Sequence, residues 1–349
     1  MTAKKILIIQ TAFIGDVILT TPLIERLHET QKGITIDFLT IPSSENLLTT
    51  NPGLHQVIIF DKKGKDKGIR GLLKMGRKLA GEKYDICLTP HRSFRSAYLS
   101  RKSGAAIRIG FDRSAWKRAF TQIVPYNPHI HEIERNLSLL NYLGIDGGGL
   151  KPPSLYATAE DRKAVDEYLK STGADISRPM LAIAPGSVWA TKRWLEAYFV
   201  QFCQNLSENG ILPVLVGGVE DISLCLRISE KTPGSISTAG KFSLRQTYHL
   251  LTRCEGILTN DSAPLHIGMA AGIYVFSLFG PTVPSFGFAP FGPKSVILEK
   301  KDLACRPCAI HGSNQCPIKT FDCMIQLHPD YVFQKVMEKL KLNQNCENQ

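Results

Sequence analysis

Three stretches of this chain carry residue types that could do chemistry. The longest runs from Thr259 to Thr282. It follows the apolar run Gly256–Leu258, which reads as a strand ending at Thr259. Asp261 or Ser262 can cap a helix whose first turn tolerates Pro264, because no N–H is needed there. Leu265, Ile267, Met269 and Ala270 give that helix its apolar and small face, Gly272 stops it, and Ile273–Phe279 reads as the next strand. A helix entered this way presents free N–H groups and the positive end of its dipole, a natural anion site, with His266 one turn in. An ordinary capped helix in an α/β sheet would read the same way. The second stretch, Gly186 to Trp194, offers a glycine turn, the hydroxyls of Ser187 and Thr191, and the pair Lys192–Arg193. Hydroxyls, backbone N–H groups and a lysine suit a diphosphate; the same residues also suit a basic helix start with two tryptophans packed inward. The third is Asp16, beside Gly15 at the end of the first strand, which could be a general base or a helix cap.

The surrounding pattern says what must position these groups. Lys5–Gln10 is a strand, Thr11–Asp16 a loop and Val17–Leu27 a helix by apolar spacing. Strands follow at Ile34–Thr40, Gln56–Phe60, Tyr84–Thr89 and Arg108–Phe111, with Pro42–Glu45 as a closing loop. Helices fall at Ile69–Leu79 and His131–Leu143. A Gly/Pro-rich exit follows, and the alternation restarts with a helix at Asp161–Tyr168 and a strand at Met180–Ala184. Leu212–Val216 is the next strand, with helices at Leu195–Asn209, Asp221–Ser229 and Gln246–Arg253. Strands alternating with helices twice over imply two doubly wound α/β domains, 1–155 and 156–328, closed by a helix and tail over 329–349. Ligands of such sheets bind beyond the carboxyl ends of the strands, in two-domain versions in the cleft between them.

Composition narrows the partners. The 349 residues are 43% hydrophobic and 21% charged, those of an ordinary globular chain. No apolar run approaches the ~18–20 residues needed to span a bilayer, and the short N-terminal run reads as a buried strand rather than a signal peptide. A cytoplasmic location is expected. The net charge of +11 is uneven: residues 1–150 hold 22 basic against 13 acidic side chains, and Lys62–Arg118 holds 17 against four. Such a face attracts nucleic acid, anionic lipid headgroups or a phosphorylated ligand, or is simply solvated. Nucleic acid is disfavoured by the lack of interleaved aromatics or a helix-turn-helix. The first loop lacks G-x-G-x-x-G, which argues against a dinucleotide enzyme, and the second-domain loop lacks the P-loop spacing.

Taken together, Gly15–Asp16, Pro185–Gly186 through Lys192–Trp194, Gly217–Gly218 with Glu220, and Asn260–His266 through Phe279–Thr282 resemble the ADP-heptose:lipopolysaccharide heptosyltransferases, glycosyltransferase family 9. The resemblance runs from Lys4 to about Val336, and Gly186–Trp194 and the cysteine loop are closer to the second heptose-adding type. It implies a GT-B fold of two facing Rossmann-like domains, acceptor on the first and nucleotide sugar on the second. It also implies inverting transfer of heptose from ADP-heptose to Kdo-lipid A or heptosyl-Kdo-lipid A, with no obligatory metal or other cofactor. Asp16 matches the general base. Ser187 and Lys192 match the diphosphate ligands, Glu220 the ribose contact and Phe242 the neighbourhood of the adenine. Asp261, Ser262, Ala263 and His266 match the donor site at the helix N-terminus. Ala263 departs from the pattern, since many members have glycine there.

The acceptor this implies bears carboxylates and phosphates at the inner face of the inner membrane, which gives the basic first domain a purpose. Lys62, Lys63, Lys65, Lys67, Arg92, Arg95 and Arg118 are the candidates for it, on a monomer that visits the membrane surface. A related transferase using another sugar or acceptor is the alternative. Cys305, Cys308, Cys316 and Cys323 open with a C-x-x-C and could hold zinc or an iron–sulfur cluster. Their later spacings match no standard zinc ribbon, and reduced thiols or a local disulfide are the other readings. The resemblance suggests no metal chemistry for this loop. Cys87, Cys203, Cys225 and Cys254 fall within strands and helices as core thiols.

Overall fold

The structure, a computed structural model, describes residues 4–346, with side chains described through Leu340. The chain divides into two compact units, Met1–Tyr156 and Ala157–Gln349. The closing helix, Pro329–Cys346, belongs to the second; its Val332, Val336 and Leu340 enter that unit's core.

The first unit holds six parallel strands: β1 (Lys5–Ile9), β2 (Thr35–Thr40), β3 (Gln56–Ile59), β4 (Ile86–Thr89), β5 (Ile107–Phe111) and β6 (Gln122–Val124), in the order β3-β2-β1-β4-β5-β6. The central strands read as unbroken apolar runs because helices cover both faces of the sheet. Leu7, Ile8 and Ile9 of β1 are fully buried. The second unit repeats the plan with β7 (Met180–Ala184), β8 (Leu212–Leu215), β9 (Ile236–Ser237), β10 (Gly256–Asn260), β11 (Tyr274–Phe279) and β12 (Ser295–Glu299). Their order, β12-β11-β10-β7-β8-β9, is the same winding. Each sheet therefore has one topological switch point, β1/β4 in the first unit and β7/β10 in the second. There the connections leave in opposite directions and open a crevice beyond the carboxyl ends.

Several expectations need correction. The helix expected over Val17–Leu27 is two, Ile14–Ile18 and Thr21–Thr30, with Pro22 restarting the second in its first turn. Asp16 therefore sits inside a helix rather than in a loop. Pro42–Glu45 is not a closing loop but the start of a helix, Pro42–Leu48, which proline opens without loss of a bond. The His131–Leu143 segment is a helix over Glu132–Ser138 that tightens into a 3₁₀ turn, Leu139–Leu143, and stops at left-handed Gly144. Strands β6, β9 and β12 lie at sheet edges, where short or half-exposed segments lose the apolar run that marks a central strand.

Candidate active site

Of the candidate side chains, Asp16 follows β1 and Lys192 and Asp261 follow β7 and β10 at the switch points, whereas Glu220 and Phe242 follow β8 and β9; each is described within its own unit. In the first, β1 delivers Gln10 and Thr11 to the crevice and β4 delivers His91. Thr11 Oγ1 and His91 Nδ1 are 3.0 Å apart across it, and Ser96 Oγ lies 2.9 Å from the same nitrogen. Burial first, then Lys62 and Arg92, pushes the His91 pKa down to about 4, so this imidazole is neutral at pH 7. Lys62 folds back so that its Nζ donates to the Thr11 carbonyl.

Asp16 stands at the third position of the helix Ile14–Ile18 and accepts from the Phe13 N–H at 3.2 Å. The capping bond that one reading of Asp16 expected is therefore present. The residue keeps some exposed surface, but protein atoms surround its carboxylate. Burial first, and then the negative charge of Glu132, raises its pKa to about 7, against the smaller opposing pull of the Phe13 N–H and Arg92. A carboxylate this poorly neutralised holds a proton far more tightly than an exposed aspartate does.

The basic candidates separate into two groups. Lys62, Lys63 and Arg95 lie close enough that their charges repel, and together with burial this lowers the Lys62 pKa. Arg92 lies over the Tyr126 ring, 4.2 Å from its centroid, and its charge reaches Asp16. Lys62 reaches the crevice through the Thr11 carbonyl and Arg92 through its charge on Asp16, with Lys63 and Arg95 exposed beside Lys62. Lys65 and Lys67 lie on the exposed turn after β3 and Arg118 on the short 3₁₀ segment Lys117–Ala119.

In the second unit, β7 ends in Pro185–Gly186 and β10 in Asn260. Asn260 stitches the two across the switch point. Its Nδ2 donates to the Pro185 carbonyl at 2.9 Å, and its Oδ1 accepts from the Trp194 N–H at 3.0 Å. A Cβ at Gly186 would lie 2.0 Å from Asp221 Oδ1, so any larger residue there would displace that carboxylate. Of the two tryptophans that one reading packed inward, Trp194 is buried in the core, its indole donating to the Leu327 carbonyl, while Trp189 is only half-buried.

Lys192 and Asp261 form a close ion pair, Nζ to Oδ2 at 2.6 Å, each side chain 12% exposed. Thr282 Oγ1 donates to the same oxygen at 2.7 Å. Asp261 therefore does not cap the helix Ala263–Ala271, and neither does Ser262, whose Oγ donates to the Asn260 carbonyl. No side-chain cap covers that N-terminus, and Pro264 and left-handed Gly272 occupy their expected places. Ser187 is half-buried on the adjoining turn, held by Arg193 Nε donating to its carbonyl. His266 is buried one turn into the helix. Glu220 is exposed on the turn after β8, and Phe242 packs edge-on against Tyr168.

Sequence reasoning missed a brace behind this locus. Thr191 and Ser313 exchange backbone and hydroxyl bonds of 2.8–3.0 Å. Cys308 N–H donates to the Pro281 carbonyl, and the buried Arg306 guanidinium donates to the Thr282 carbonyl and to Glu299. The cysteine loop thus holds both the Lys192 turn and the Thr282 turn. Cys305, Cys308, Cys316 and Cys323 are free thiols. Burial opposes ionisation of Cys316, but N–H groups of residues 318–321 turned toward its sulfur leave its pKa below the usual thiol value. Among the described residues, no group of three or more His, Cys, Asp or Glu side chains is disposed to hold a metal ion. Cys87, Cys203, Cys225 and Cys254 are buried core thiols, as expected.

The two units thus hold a buried carboxylate at one switch point and a cation beside an uncapped helix N-terminus at the other. The chain belongs to glycosyltransferase family 9 (heptosyltransferase), whose model matches residues 72–319. It is 28% identical over 281 residues to lipopolysaccharide heptosyltransferase 3 of Escherichia coli, covering 77% of this chain and 82% of that protein. Its fold matches a glycosyltransferase family 9 structure from Veillonella parvula, with a TM-score of 0.87, 24% identity and 97% and 98% of the two chains covered. It also matches the E. coli ADP-heptose lipopolysaccharide heptosyltransferase II, with a TM-score of 0.78, 21% identity and 97% and 99% coverage.

Proposed function

We propose that this glycosyltransferase moves heptose from ADP-heptose to the inner core of lipopolysaccharide, with Kdo-lipid A or its heptosylated form as acceptor. The observation that carries this reading is the contrast between the two switch points. One holds a carboxylate with a proton affinity near neutral. The other holds Lys192 and the open end of the helix Ala263–Ala271, which suit a departing diphosphate. The names of the E. coli relatives support heptose as the sugar and ADP-heptose as the donor.

In this scheme Asp16 takes the proton from an acceptor hydroxyl as that oxygen forms its bond to the anomeric carbon. The bond from that carbon to the ADP oxygen breaks on the opposite face, which inverts the centre. Charge grows on the leaving diphosphate, and Lys192 and the helix N–H groups stabilise it where it grows. Asp261 holds Lys192 in place before the donor arrives, and Thr282 holds Asp261. Ser187 and His266 supply further donor contacts, Glu220 the ribose and Phe242 the adenine. No cofactor takes part in the scheme.

Lys62, Lys63, Arg92 and Arg95 meet the acidic sugars and phosphates of the acceptor, with Lys65, Lys67 and Arg118 as an outer ring. Among the described residues no helix is long and apolar enough to cross a membrane. The reading places the protein at the cytoplasmic face of the inner membrane, reached through this basic surface. Calorimetry with ADP-heptose, UDP-sugars and GDP-sugars tests the donor. Tight binding confined to the ADP-sugar is expected, and preference for a UDP- or GDP-sugar would replace this reading with another transferase activity.

A further inference from the structure

The helix Glu132–Ser138 has no part in the scheme above, yet it carries two buried charges beside the base. Asn136 fixes its position: Nδ2 donates to the Leu19 carbonyl at 3.1 Å and lies 3.4 Å from Thr20 Oγ1. Thr20 Oγ1 in turn donates to the Asp16 carbonyl at 2.7 Å. Glu132 lies one turn before Asn136 on the same helix face, so the same anchor fixes it relative to the Asp16 helix. Its carboxylate accepts from Arg135 Nε at 2.7 Å. Arg135 is itself fully buried, donates to the Ile130 carbonyl, and lies over Tyr126 with its guanidinium carbon 5.2 Å from the ring centroid. Such a network is over-determined: the carboxylate cannot swing out to solvent without stranding a buried guanidinium.

The charged surroundings are few. Glu132 and Arg92 act on Asp16; burial raises the Glu132 pKa, and Arg135 and then Arg92 pull it back toward the ionised form. Lys62 reaches the Thr11 carbonyl in the same crevice, and His91 is neutral there. The helix Pro42–Leu48, also packed on the Asp16 helix, has Glu45 as its one charged residue, and it is exposed. Arg135 is committed to Glu132, which leaves Asp16 without a full counter-charge of its own.

We propose that Glu132 is a positioning residue for the transfer, acting through Asp16: its carboxylate, fixed by Arg135, is the negative charge against which Asp16 takes up the acceptor proton. A base that binds a proton near neutral pH withdraws it with more driving force than an exposed aspartate, at the cost of activity in acid. The inference rests on Asp16 being the base.

The test is the pH profile of kcat/KM for transfer from ADP-heptose to Kdo-lipid A, from pH 5 to 9, in wild type, Glu132→Gln, Glu132→Asp and Asp16→Asn. Removing a like charge favours the ionised Asp16, so the acidic limb of Glu132→Gln should move down by about one pH unit. Its rate at pH 8.5 should fall severalfold, as a weaker base requires. Glu132→Asp, with the charge drawn back by one methylene, should fall between wild type and Glu132→Gln. An unmoved limb in folded Glu132→Gln, alongside an inactive Asp16→Asn, would overturn the proposal and leave the base assignment standing. Should Glu132→Gln not fold, a limb in Glu132→Asp at or above the wild-type position would overturn it equally. Near-normal turnover by Asp16→Asn would remove the base assignment and this proposal together.

Discussion

Asp16, in the helix after β1, and Asp261, at the end of β10, each stand at the switch point of their own unit, and their surroundings are opposite. Asp261 is neutralised at once by Lys192 and Thr282, and its charge serves to hold a cation in position. Asp16 has the N–H groups of Phe13 and of its own backbone, a neighbouring carboxylate and an arginine already shared. The lesson is that a fold fixes where a carboxylate sits, and the partners placed around it decide whether it holds a charge or moves a proton.

Asp16→Asn should break the first half of that contrast with the largest effect. Turnover should fall by roughly 10²–10⁴-fold while ADP-heptose affinity, read by calorimetry, stays near wild type. The pH dependence follows from the same surroundings. Activity needs the ionised form, so wild-type kcat/KM should drop about tenfold per unit below pH 7 and level off above it. The stability linkage has the reverse sign. The folded state binds the Asp16 proton more tightly than the unfolded chain does. Its contribution therefore favours folding in acid and is lost as the pH rises through about 7. Asn, which mimics the protonated form, should raise the thermal midpoint at pH 8, by a margin that shrinks toward pH 5.

Lys192→Ala tests the second half. It removes the cation and strands Asp261, and ADP affinity should fall by about 10–100-fold, the range of a charge-assisted contact. Thr282→Val, which removes only the hydroxyl behind Asp261, should weaken ADP binding by a few fold. If both leave ADP affinity unchanged, the diphosphate lies elsewhere. Reversing Lys62, Arg92 and Arg95 together should raise acceptor KM by about tenfold with donor affinity intact, and more at low than at high salt. The same change at Lys65, Lys67 and Arg118 should have the smallest effect of the set, because those exposed side chains lie outside the group whose charges act most strongly on Lys62 and Asp16.

What the sequence makes legible follows from how local each signal is. Pro264 and Gly272 mark the two ends of one helix, and the glycines after β1 and β7 mark the segments that carry Asp16 and Lys192. The surroundings of those residues are not local. Glu132 and Arg135 lie more than a hundred residues from Asp16, in a segment whose helical spacing does not show that the fold buries its charges. His91 meets Thr11 eighty residues away. The Lys192–Asp261 pair and the Thr191–Ser313 brace likewise join residues whose spacing carries no periodic signal. Asp261 reads as a helix cap because aspartate usually is one at that place. Here a buried lysine competes for it and wins, since an ion pair of two largely buried groups outweighs one N–H bond.

The central claim is that these two switch points together transfer heptose from ADP-heptose to an acidic lipid acceptor. The most direct measurement incubates the protein with ADP-heptose and Kdo-lipid A or its heptosylated form, and follows acceptor mass and released ADP. The account predicts one heptose added for each ADP released, with the anomeric centre inverted. No extension of either acceptor, under conditions where a UDP- or GDP-sugar is consumed, would contradict it.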